Sequence, residues 1–100
     1  MARNPNTTTS GGRFDQATIE AVWQKGKPEP GYPNFRKDVC NASMQRTKYG
    51  ETVQFGWEID HILPVSKGGT DDLRNLQPLH WENNRHKGDE TSNWTCKVTS

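Results

Sequence analysis

Long apolar runs are missing from this sequence, and so is any repeated cysteine spacing. Only 29% of its 100 residues are hydrophobic and the mean hydropathy is −1.08. No stretch approaches the roughly 20 apolar residues that a membrane-crossing helix needs, so a membrane is not among the expected partners. The N-terminus, MARNPNTTTSGG, lacks the apolar core of a signal peptide, and the expected location is cytoplasmic. There is no Cys-x-x-Cys pair, and Cys40 and Cys96 stand far apart. That excludes a zinc knuckle and a disulfide framework, and without an export signal the two cysteines read as reduced thiols. With so few apolar residues, the four tryptophans must carry much of the burial. One small domain is all the chain can build.

A net charge of +1 conceals an asymmetry. Residues 1–50 hold eight Lys/Arg and four Asp/Glu, whereas residues 51–100 hold five and eight. A basic half beside an acidic half suits a metal site flanked by a phosphate-accepting surface, and equally two solvated faces.

Residues 1–12 are polar and aperiodic and are expected to be a disordered tail. Residues 13–89 form the expected domain, with its core at about 53–89, and residues 90–100 a polar C-terminal tail. Phe14 to Gln24 is amphipathic: Asp15 can cap it, Phe14 and Ile19 have staple spacing, and Ile19, Val22 and Trp23 share a face. It reads as a packing helix. Lys27 to Pro33 is a proline-rich loop. Met44, Arg46 and Lys48 fall on one face of a possible strand that could approach a phosphate backbone or simply form an exposed basic edge. Val53 to Ile62 reads as a strand, Ser66 to Asp72 as a loop, Leu76 to Leu79 as a second strand, and Trp81 to Lys87 as a short helix ended by Gly88.

Chemistry concentrates in this last part. Asp60 is a hard oxygen donor suited to Mg²⁺ or Mn²⁺. His61 can be neutral near pH 7 and take a proton from water. Asn84, on the short helix, offers a second, uncharged oxygen, with Asn83 beside it as a competing candidate. Asn75 lies where the loop returns to the second strand and can bond the loop backbone. Glu58, two residues before Asp60, is a candidate outer contact of the metal. Trp23, Trp57 and Trp81 read as core.

The run Trp57-Glu58-Ile59-Asp60-His61-Ile62-Leu63-Pro64, then Gly68-Gly69, Asn75-Leu76-Gln77-Pro78-Leu79 and Asn84-Arg85-His86-Lys87-Gly88-Asp89, resembles the HNH endonuclease family. Thirteen residues separate His61 from Asn75 and eight separate Asn75 from Asn84, in keeping with the family's spacing. The resemblance covers about a third of the chain. It implies an α+β chain with a small ββα-metal (His-Me finger) fold, one divalent ion on Asp60 and Asn84, His61 as general base and Asn75 as the loop brace. It further implies a metal-dependent endonuclease hydrolysing DNA, double-stranded by expectation, with Mg²⁺ preferred and Mn²⁺ the alternative. Two departures stand out. The third motif position is Asn, and the positions of one zinc-binding Cys pair are His80 and Asn83, so no structural zinc is expected. His80, Arg85 and Lys87 are candidate phosphate or accessory contacts. The rival expectation is a non-catalytic DNA-binding module, or a subunit of a larger phage or restriction-type machine.

Overall fold

The computed structural model describes residues 3–100. Helix α1 (Gln16–Trp23) begins at the predicted cap, where Asp15 accepts the Thr18 N–H at 2.8 Å. It turns Val22 and Trp23 inward, and the Trp23 ring lies 5.2 Å from that of Trp57. Tyr49 closes on the same Trp57 ring at 5.0 Å, and burial, with Glu58 nearby, pushes its phenol up to about 12. Phe14, Met44, Ile59 and Leu76 complete this core. Aromatic packing therefore does what a larger aliphatic core would do in a less polar chain.

Three short strands, β1 (Lys27–Pro28), β2 (Phe35–Lys37) and β3 (Ser43–Gln45), form an antiparallel sheet in that order. A second sheet pairs β4 (Trp57–His61) with β5 (Leu76–His80), antiparallel, with Trp57 opposite His80 and Asp60 opposite Gln77. Helix α2 (Trp81–Lys87) follows β5 without a linker. The described residues thus form a small α+β protein with two α-helices and two antiparallel sheets, and β4, β5 and α2 make a ββα unit.

Several expectations are corrected. The strand foreseen over residues 53–62 is shorter, because Val53 to Gly56 close a turn in which the Gly56 N–H reaches the Val53 carbonyl at 2.9 Å. The basic face of Met44, Arg46 and Lys48 does not form. Met44 is fully buried, the chain then winds into a 3₁₀ turn over Arg46–Lys48, and Arg46 pairs with Glu20. The cysteines are not reduced thiols but a Cys40–Cys96 disulfide with Cα atoms 5.7 Å apart. A separation of 56 residues hides such a pair from any local reading.

Both predicted tails lie against the domain. Residues 1–2 fall outside the described part, but Asn6 accepts the Ile59 N–H at 2.8 Å on the edge of β4 that β5 leaves free. Thr9 bonds the Asp71 carboxylate. At the other end, Asn83 on α2 accepts the N–H groups of Lys97 and Val98 at 2.8 Å each and donates to the Val98 carbonyl. Composition predicts disorder because these segments hold few apolar residues and no periodic pattern of them. They are held by side-chain amides and hydroxyls that mimic backbone pairing and, at the C-terminal end, by the Cys40–Cys96 bond.

Candidate active site

The 330 Å³ cleft at the end of the ββα unit is lined by Asp60 and His61 of β4, Asn84 and Arg85 of α2, and Arg3, Asn4 and Thr7 of the N-terminal segment, among others. Neighbouring strand residues ordinarily face opposite ways. β4 ends at His61, and both residues nevertheless line the same cleft.

Asp60 is 5% exposed. One of its oxygens accepts from Gln77 Nε2 at 2.9 Å, the cross-strand neighbour set by the register, and the other faces Lys87 Nζ at 3.0 Å. Burial pushes its carboxyl up, while Gln77, Lys87 and His61 pull it back without cancelling the rise. The sequence offers Lys87 as a candidate phosphate contact. It is instead 1% exposed and turned inward, where it also donates to the His61 carbonyl at 3.1 Å. Its position at the end of the last helical turn, over the end of β4, dictates this: a buried carboxylate there needs a counter-charge.

Asn84 donates through Nδ2 to Glu58 Oε1 at 2.8 Å. A carboxylate only accepts, so this bond fixes the amide and leaves Oδ1 as the free oxygen. Glu58, 1% exposed, also takes Arg85 Nη2 at 2.8 Å, and the Arg85 guanidinium lies 5.5 Å from the centre of the Trp81 ring. Glu58 thereby orients two residues of the cleft rather than entering it. The competing candidate Asn83 is fully buried with its amide committed to Asp38 and the C-terminal segment, so it does not reach the cleft.

His61 carries its Nε2 2.8 Å from Asp71 Oδ1, and its ring stands 6.0 Å from Phe14. Asn75 spans the intervening loop. It accepts the Leu63 N–H at 2.8 Å and donates to the carbonyls of Leu63 and Thr70 at 3.1 and 2.9 Å. Gly69 lets the loop close, since a Cβ there would meet the Leu63 carbonyl oxygen at 1.7 Å. From the sequence Asp71 reads only as loop. No local signal marks it, because its partner is ten positions away.

His80 does not join the cleft. It is 2% exposed, caps α2 by accepting the Glu82 N–H at 3.1 Å through Nδ1, and donates from Nε2 to the Gln54 carbonyl at 2.9 Å. Both ring nitrogens are committed to structure.

Among the described residues, no group of three or more His, Cys, Asp or Glu could hold a metal ion. The cleft offers a smaller donor set, one carboxylate and one amide oxygen. Each Asp60 oxygen keeps a lone pair beyond the bond it accepts, and Asn84 Oδ1 is turned away from Glu58. Two hard oxygen donors suit an oxygen-preferring divalent cation that retains several waters and do not make a closed zinc site.

Residues 50–90 match the family model described as HNH endonuclease. No curated protein and no solved structure matches the chain.

Proposed function

We propose, from the HNH-family domain at residues 50–90, that this protein is a metal-dependent endonuclease that hydrolyses DNA phosphodiester bonds. HNH nucleases in general use a divalent metal, and the family points to a nucleic-acid substrate. The observation that carries the reading is that Asp60, His61 and Asn84, drawn from a strand and a helix, line one cleft.

Asp60 and Asn84 Oδ1 would hold the ion, Mg²⁺ by the hardness of both oxygens. When bound, it would polarise the phosphate and stabilise charge on the leaving oxygen. His61 takes the proton from the attacking water, a role worth about 10²–10⁴ in rate. Arg85, held by Glu58 and Trp81, and Arg3 across the cleft supply cationic groups for the phosphate. Asn75 keeps the loop after His61 from swinging away. A single cleft acting on a single phosphate gives nicking, one strand per event. The Cys40–Cys96 bond favours an oxidising compartment over the cytoplasm expected from the sequence.

One observation favours the non-catalytic, DNA-binding alternative: Lys87 already neutralises Asp60. Incubating supercoiled plasmid with the protein and its His61→Ala variant in Mg²⁺, Mn²⁺ and chelator separates the two. Metal-dependent nicking by the wild type, reduced at least a hundredfold in the variant, supports the nuclease. Retardation of DNA without cleavage by either supports the binding module, and equal cleavage by both removes His61 as the base.

A further inference from the structure

The His61 ring is gripped from one side by a carboxylate that is itself gripped by the N-terminal segment. Asp71 Oδ1 lies 2.8 Å from His61 Nε2. The same carboxylate accepts the Thr9 N–H at 3.1 Å on each oxygen and the Thr9 hydroxyl at 2.9 Å. Thr9 is fixed in turn, since Asn6 three residues earlier accepts the Ile59 N–H of β4. From the loop side, Asn75 holds the carbonyl of Thr70, the residue before Asp71. A surface carboxylate with a casual partner does not collect four hydrogen-bond contacts from two distant parts of the chain. The Phe14 ring, buried in the core at 6.0 Å, backs the imidazole.

We propose that Asp71 is the positioning residue for His61 and that Thr9, in the N-terminal segment, completes the arrangement. An ionised carboxylate can only accept, so the proton of the neutral imidazole sits on Nε2 and Nδ1 is left as the nitrogen that accepts from water. Burial alone would raise the Asp71 carboxyl, but the bonds from His61 and Thr9 outweigh it and hold the group below its ordinary range. Once Nδ1 has taken a proton, the ring is a cation beside that carboxylate, which stabilises it. Residues 3–12 are then part of the site rather than an appendage. This inference rests on the nuclease reading for its catalytic meaning, but not for its geometry.

The test joins two measurements on wild type, Asp71→Ala and Asp71→Asn: plasmid nicking analysed for kcat and KM, and ¹⁵N spectra of the histidine ring nitrogens. The expected result for Asp71→Ala is a kcat lower by about 10–100-fold, the usual effect of removing a partner that orients an active-site group, with KM unchanged and the Nε2–H preference of His61 lost. Asp71→Asn keeps an oxygen for Nε2–H and recovers part of both. A wild-type kcat in Asp71→Ala, a loss confined to KM, or an unaltered ring spectrum overturns the proposal. If the wild type nicks nothing, the nuclease reading falls while the spectra still decide whether Asp71 sets the ring.

Discussion

Replacing Lys87 by Met keeps most of the side-chain volume and removes one charge from a site where water cannot replace it. Lys87 and Asp60 are 1% and 5% exposed, and their charged atoms are 3.0 Å apart. Without the ammonium, the buried carboxylate has one inexpensive escape, which is to take a proton. Relative to an unfolded Asp ionising near 3.9, that costs about 1.4 kcal/mol per pH unit, so the loss is capped at about 4 kcal/mol at pH 7 and about 1.5 kcal/mol at pH 5. The sign follows from the direction of the shift. A carboxyl whose folded pKa is raised favours folding below its unfolded pKa, and that advantage is lost as pH rises through the folded value. Burial already raises Asp60 in the wild type, and removing Lys87 takes away one of the groups opposing that rise. Urea unfolding at pH 5 and pH 7 reads the effect directly, with a midpoint shift of about 2 M at pH 7 for a slope of about 2 kcal/mol/M. Adding Asp60→Asn to Lys87→Met should restore much of the loss at pH 7. A loss that is equal at the two pH values, or single-variant losses that simply add, would refute the reasoning.

Two further predictions concern the frame around the site. Reducing the Cys40–Cys96 bond, or replacing both cysteines by Ser, frees a closed loop of 56-residue separation and should cost about 4 kcal/mol by the loop-entropy relation; an unchanged unfolding midpoint in reductant would contradict it. Gly69→Ala places a Cβ against the Leu63 carbonyl and should destabilise by about 1–3 kcal/mol, with a fall in nicking rate as the loop braced by Asn75 shifts; a variant as stable and active as wild type would show that the loop adapts.

What could be read from the sequence was local. α1 announces itself by an apolar face behind an Asp cap, and α2 by a short polar run between Leu79 and Gly88. Asp60, His61 and Asn84 stand out because four separated stretches of the sequence agree with the family in order and spacing. The contacts that govern these residues were not legible. Lys87 looks like any helix-end lysine until β4 places Asp60 beneath it. His80, a candidate ligand by motif position, is consumed by the helix cap and the Gln54 carbonyl. Asn83 and Asn84 are chemically identical neighbours, and only the rotation of α2 sends one to the C-terminal segment and the other to Glu58. The ordered ends were invisible for a related reason. Periodicity detects apolar burial, whereas Asn6, Thr9 and Asn83 act through hydrogen bonds to residues far away in the chain.

The Cys40–Cys96 bond also changes what it means to cut this molecule. Residues 40–96 become a ring of covalent bonds, and β4, β5, α2 and every residue proposed to act at the phosphate except Arg3 lie on it. A protease that opens the exposed loop between Leu63 and Asp72 makes two new termini but releases no fragment. The clipped protein migrates at full length until the bond is reduced. Its two halves remain tethered and free to pair β4 with β5 again. For a chain with so thin a core, the ring makes a backbone break a local injury.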